Sequence, residues 1–168
     1  MPKPSEEIKQ LIRELEEPFA RRNRAAGTKL KSERGEADDF TLKNYDATED
    51  GLPKGVKKIK ELPTTKKQGE RHKYLWIIND NGLFLQLEAT PNPKADRGCI
   101  CHTNLTRGEK AYQGGELWFH EDGTVYVNYS SGRYGASTPD HQKGVLQYFG
   151  AVGYAKVKVM PALKADDE

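Results

Sequence analysis

The chain is predicted to fold as an α+β domain: a mostly antiparallel sheet of two hairpins plus further strands, with an N-terminal helix and a C-terminal helix packed on it. Three observations carry that expectation. Asn81-Gly82 stands between the apolar runs Tyr74-Leu75-Trp76-Ile77-Ile78 and Leu83-Phe84-Leu85-Gln86-Leu87, the strongest short hairpin signal a sequence offers. A second pair of runs, Glu116-Leu117-Trp118-Phe119-His120 and Thr124-Val125-Tyr126-Val127-Asn128-Tyr129, is joined by Glu121-Asp122-Gly123. Val145, Leu146, Phe149 and Val152 then recur at helical spacing.

Taken in order, Ser5 caps a helix whose Ile8, Leu11, Ile12, Leu15 and Phe19 lie on one face, with Glu6 and Glu7 favourably placed in its first turn. Pro18 ends or kinks that helix, or opens a short second one that Gly27 stops. From Gly27 to Lys73 the chain is rich in Lys, Glu, Asp and Thr, which predicts loops, short strands and disorder. The compact part begins at Tyr74 with the first hairpin. Gly98-Cys99-Ile100-Cys101-His102 reads as a third strand, ahead of the second hairpin. Thr138 or Ser137 caps the C-terminal helix, Pro139 sits in its first turn and Gly153 ends it. Ala155 to Met160 alternates as a last strand. The organisation is therefore residues 1–73 as a helix and a basic, polar, partly irregular extension, 74–163 as the core and 164–168 as an acidic tail, one domain overall.

A chain of 168 residues buries about 70% of the surface its unfolded form exposes, so a core forms without disulfides. With 31% charged residues and a mean hydropathy of −0.86, polar extensions beyond that core are expected. No apolar run approaches the ~20 residues that span a bilayer, and the start lacks the apolar stretch of a secretory signal, so a cytoplasmic protein is expected. Cys99 and Cys101 are read as two buried thiols rather than a strained bridge, and His102 and His120 lack finger-like spacing, so neither a metal nor a cofactor is expected. Arg21, Arg22, Arg24, Lys29, Lys31 and Arg34 form one basic cluster; Lys54, Lys57, Lys58, Lys60, Lys66, Lys67, Arg71 and Lys73 form another. Such clusters neutralise phosphates or, with acids interspersed as here, simply solvate a surface.

Catalytic residue types gather between His102 and Gly135, at strand ends beside glycines, where side chains face a cleft. If Asp122-Gly123 forms a two-residue turn, Glu116 pairs with Tyr129 and shares a half-buried face with Trp118 and Val127, an environment that suits a carboxylate to proton transfer. A longer turn alters that register, and a surface ion pair is the plainer role for Glu116. His102, followed by the turn-formers Thr103 and Asn104, exchanges protons near neutral pH or is satisfied by a backbone carbonyl. Asn128, Ser130, Ser131, Gly132, Arg133 and Tyr134 form a turn suited to holding a phosphate or carboxylate, unless Arg133 pairs with Asp140.

His102-Thr103-Asn104-Leu105, Gly114-Gly115-Glu116 and Ser131-Gly132-Arg133-Tyr134, followed by a Pro-initiated amphipathic helix, resemble a pattern in bacterial proteins of uncertain role. The same stretch is similar to the non-IQ domain of plant IQ-motif calmodulin-binding proteins, with its His-Ser-Ser type motif, hairpin and Ser-Gly-His-Tyr turn. The resemblance covers roughly residues 98–160. Arg133 stands where that turn usually has His, and the chain has no IQ motif, so calmodulin binding does not carry over. What the resemblance implies is a common site, without a particular chemistry.

Three function classes fit these residues. A small, toxin-like, metal-independent ribonuclease would use His102 and Glu116 for proton transfer and Arg133 on phosphate, with Thr103, Asn104, Asn128, Ser130, Ser131 and Tyr134 binding substrate. Trp118, Tyr129 or Tyr134 would stack a base. Transfer from a nucleotide, as in ADP-ribosylation, uses similar residue types, although Glu116 precedes the serines here. A non-catalytic or inhibitory module would capture an anionic ligand or a protein partner on the same loop.

Overall fold

The computed structural model describes residues 56–79, 82–89, 99–100, 102–106, 111–131, 134 and 139–165. The N-terminal helix and the first basic cluster lie outside the described residues. The elements in order are β1 (Lys58–Ile59), α1 (Lys66–Glu70), β2 (Tyr74–Asn79), β3 (Gly82–Leu87), α2 (His102–Thr106), β4 (Gln113–His120), β5 (Val125–Val127), α3 (Pro139–Ala151) and β6 (Val157–Val159). They make an α+β fold on an open, mostly antiparallel six-stranded sheet of order β3-β2-β4-β5-β6, with β1 paired to β4.

β4 is the axis of this sheet. One of its edges is filled by β2, opposite Gln113 to Leu117, and then by β1, parallel to it at Phe119 and His120. The other edge takes β5, opposite Leu117 to Phe119. β6 lies parallel to β5, and the chain between them runs through α3. The sheet thus recruits Lys58–Ile59, ahead of Tyr74, and Ile59 is buried.

Both faces of the sheet are covered, which is why Tyr74 to Ile78 are buried without a break instead of alternating. On the first face Tyr74, Trp76, Ile78, Leu117, Phe119, Val125 and Val127 meet Val145, Tyr148 and Phe149 of α3 and Val152 just after it. Trp76 meets Phe149 edge-on, with ring centroids 5.3 Å apart. The second face carries two separate apolar patches. Leu75 and Ile77 pack with Ile100, Leu105, Ala111 and Tyr134; Trp118 packs with Ile59 and Met160. The Trp118 indole N–H also donates to the carbonyl of Gly69 in α1 at 2.7 Å.

α3 ends as its sequence requires. Gly153 has φ +111, its N–H donates to the Gly150 carbonyl, and the Tyr154 N–H donates to the Phe149 carbonyl. Those two bonds close a Schellman motif, and the rings of Phe149 and Tyr154 supply its apolar contact at 5.8 Å. The capping positions Ser137 and Thr138 lie outside the described residues.

Two sequence expectations are corrected. Among the described residues of that stretch Cys99 forms only a single β-bridge, and His102–Thr106 is a short helix. Ile100 and Leu105 pack with Leu75 and Ile77 and so cover the second face. Cys99 is a free, half-buried thiol, not a buried one, and Cys101 lies outside the described residues. The second hairpin closes through Glu121-Asp122-Gly123, with His120 bonded to Thr124, so Leu117 faces Val127 and Trp118 faces Tyr126. Gly123 adopts φ +92 and the Asp122 carboxylate accepts the Thr124 N–H, the chemistry of a three-residue loop. That one-residue shift leaves Glu116 beside Asn128 and moves Val127 to the opposite face.

Gly114 and Gly115 have a structural reason. A Cβ at residue 115 would lie 2.9 Å from Trp76 Cζ2 and 3.0 Å from the Asn128 carbonyl carbon, and closer still to the Asn128 oxygen. Gly150 in α3 has open space around the same position. Gly115→Ala should therefore cost about 1–3 kcal/mol or more through overpacking against backbone, while Gly150→Ala should stabilise by about 0.5–1 kcal/mol. Urea unfolding of the two variants checks both signs, and equal midpoints would contradict this packing.

Candidate functional site

Between the two apolar patches of the second face lies a polar row built by strand register. Lys73 precedes β2, and the Glu88 N–H donates to its carbonyl at 2.9 Å, so the two residues face each other at the base of the first hairpin. Leu75 is opposite Glu116, which puts Glu116 diagonally across from Lys73 on the other flanking strand. The Lys73 ammonium accordingly reaches Glu88 Oε2 at 2.7 Å and Glu116 Oε2 at 2.9 Å, with all three side chains under a fifth exposed.

Asn128 completes the row. Its Nδ2 donates to Glu116 Oε1 at 2.9 Å, while its Oδ1 accepts the backbone N–H groups of Glu116 at 2.9 Å and Ser130 at 3.0 Å. One amide therefore ties the carboxylate, the strand beneath it and the loop after β5. Within that loop Ser131 Oγ accepts the Tyr134 N–H, and the Tyr134 carbonyl accepts the Gly114 N–H at 2.7 Å. The Tyr134 hydroxyl shares a hydrogen bond with Thr106 Oγ1 of α2 at 3.1 Å, deep in the structure. The Tyr129 hydroxyl donates to the Gln142 carbonyl of α3 at 3.3 Å.

His102 opens α2 and brings Nε2 within 2.8 Å of the Gly115 carbonyl oxygen. A carbonyl only accepts, so Nε2 carries a proton. His102 thus contacts the residue next to Glu116, and the structure gathers His102, Glu116, Asn128, Ser130, Ser131 and Tyr134 around the Gly114-Gly115 segment of β4. Thr103 and Asn104 lie in α2, with side chains outside the described residues; Arg133 lies outside them altogether.

Some expected roles change with burial. Trp118 and Tyr134 are fully buried, so neither ring has a face for a base, and Tyr129 is the half-buried aromatic of the group. Glu116 contacts a cation and an amide rather than an apolar wall alone. Lys73 is separated from the basic run around it: Lys57, Lys58, Lys60, Lys66, Lys67 and Arg71 are exposed, whereas Lys73 is held by carboxylates. Lys73 and Glu88 are the site residues that sequence reasoning missed. The signal available was the parity of Lys73 with Leu75 and Ile77, together with a Glu directly across the hairpin base.

Burial works against the Lys73 charge, but hydrogen bonds and attraction from Glu88 and Glu116 outweigh it and hold its pKa above the ordinary value. Burial raises the Tyr129 hydroxyl. At the tip of the second hairpin, the hydrogen bond from the Thr124 backbone holds the Asp122 carboxyl below its usual range. Among the described residues no group of three or more His, Cys, Asp or Glu side chains is placed to hold a metal ion, and no helix is long and apolar enough to cross a membrane.

No protein-family model matches the chain, and no curated protein and no solved structure matches it.

Two outcomes are expected. Asn128→Ala removes the acceptor of two backbone N–H groups and one donor to Glu116, and should cost about 1–3 kcal/mol in chemical unfolding, the penalty for part-buried groups left unpaired. Because the Lys73 pKa is raised on folding, its stabilising contribution is fully present below the ordinary lysine value of 10.5 and is lost as pH rises through the higher folded value. Unfolding midpoints of the parent should fall across that alkaline window, and those of Lys73→Met should fall less steeply. Parallel curves would show that the ion pairs contribute nothing.

Proposed function

We propose that the chain is a small metal-independent ribonuclease whose site lies around His102, Glu116 and the 128–134 loop. The observation that supports this reading most is the hydrogen bond from His102 Nε2 to the Gly115 carbonyl, which orients an imidazole beside the residue that carries the Glu116 carboxylate. Cleavage of RNA requires a base to take the 2′-hydroxyl proton, an acid for the leaving oxygen and a cation for the charge growing on phosphorus. His102 and Glu116 are the two proton-transfer groups, and Arg133, in the same loop by sequence, is the phosphate cation. Thr103, Asn104, Asn128, Ser130, Ser131 and Tyr134 shape the surroundings in which the strand is held. A cytoplasmic location fits that substrate.

A second reading, a non-catalytic module for an anionic ligand or protein, is favoured by one specific feature. Both Glu116 oxygens and the Asn128 amide are engaged within the protein, which is how a scaffold uses such groups. Nucleotide-dependent transfer of the ADP-ribosyl kind draws on the same residues but has less support, because Glu116 lies before the serines in the chain. The relationship to the non-IQ domain of plant IQ-motif proteins is likewise proposed, on the motifs between residues 98 and 160.

Mixed RNA incubated with the protein and EDTA should be cut to 2′,3′-cyclic phosphate ends. His102→Ala should lower the rate by about 10²–10⁴, the usual contribution of a general acid or base. Intact RNA, or equal cleavage by the variant, removes the assignment and leaves the binding reading.

A further inference from the structure

We propose that Lys73 is the positioning residue of this site: by clamping Glu116 against the Glu88 side of the sheet, it sets the carboxylate to which Asn128 and the start of the following loop are tied. The inference deepens the ribonuclease reading and rests on it for its catalytic consequence, but its structural half stands alone. Glu88 and Glu116 extend from the strands on either side of β2 toward the same half-buried strip of the second face. Two carboxylates at that spacing repel unless a cation lies between them, and Lys73 Nζ lies within 3 Å of an oxygen of each. Glu116 then has its Oε2 fixed by Lys73, which turns its Oε1 to the Asn128 amide.

That amide transmits the setting. With Nδ2 spent on Glu116, the Asn128 Oδ1 faces the N–H groups of Glu116 and Ser130 and starts the loop that carries Ser131, Arg133 and Tyr134. The order is Lys73, Glu116, Asn128, Ser130, each step one hydrogen bond or ion pair. Among the described residues Lys73 is paired with Glu88 and Glu116 and with none of the loop, so its effect on the loop passes through Glu116.

The test compares Lys73→Met and Lys73→Arg by RNA cleavage and by amide hydrogen exchange. Lys73→Met should lower kcat by about 10²-fold, the effect of misplacing a reacting group by ~1 Å, with little change in KM. Lys73→Arg should restore most of the loss because it keeps a cation beside Glu116. A Lys73→Met enzyme with the parent's kcat overturns the proposal. If the parent does not cleave RNA, the reaction is wrong and exchange alone decides. The Ser130 amide, measured against Ile77 of the core in the same sample, should then exchange about tenfold or more faster in Lys73→Met and at the parent's rate in Lys73→Arg. An unchanged ratio in Lys73→Met overturns the positioning role whatever the reaction, and the internal reference keeps the result readable if the variant is less stable overall.

Discussion

The passage of the Asn128 carbonyl across Gly115 fixes how the chain leaves the second hairpin. β5 pairs regularly with β4 as far as Val127 opposite Leu117, and then the strand leaves the sheet over a position with no side chain. The Trp76 indole lies over the same vacant spot and donates to the Glu116 carbonyl at 3.1 Å. A larger residue at 115 would displace the indole from the main core and the loop from β4 together. Gly114 serves the opposite face, where Tyr134 Cβ would lie 3.0 Å from a Cβ. The core and the candidate site are thereby coupled through two adjacent glycines, and neither can be repacked without the other.

The second consequence is the treatment of charge. A sheet covered on both faces has little room for ions, yet Lys73, Glu88 and Glu116 occupy the second face between the Ile77 and Trp118 patches. Helix α2 and Tyr134 cover one patch, α1 and the segment around Met160 the other, and the strip between them receives no apolar lid from the described residues. Charges survive there because each carboxylate meets an ammonium in a partly solvated setting, where the desolvation penalty is smaller than in the interior. The row also breaks the symmetry of the face, since it holds β2, β3, β4 and the loop after β5 in one register.

Much of the fold was legible in local pattern. The first hairpin, the second hairpin, the apolar stripe of α3 and its stop at Gly153 all follow from short-range chemistry, and all are found. What failed locally was the count of turn residues: Glu121-Asp122-Gly123 reads equally as a two- or three-residue loop, and only the register of Trp118 on Tyr126 decides it. What failed at longer range was cover. Nothing in Cys99 to Thr106 signals that Ile100 and Leu105 are needed over β2, because that need arises from Leu75 and Ile77 far back in the chain. The candidate site divides the same way. His102, Glu116 and Asn128 announced themselves by residue type beside glycines and turns, whereas Lys73 and Glu88 are ordinary charges until the strands are placed side by side.

That distinction bears on how an anion could approach. The Lys73 cluster holds two carboxylates to one ammonium, so it offers a phosphate no net positive charge. A phosphodiester held at this site would therefore sit toward the loop and His102 rather than over Lys73. The polar row holds Glu116 and the start of the loop, and under the proposed reading the attraction for phosphate comes from the residues that follow Asn128. Among those, Arg133 is the cation that the sequence places between Ser131 and Tyr134, so an anion bound as proposed would answer to that guanidinium and not to the Lys73 ammonium.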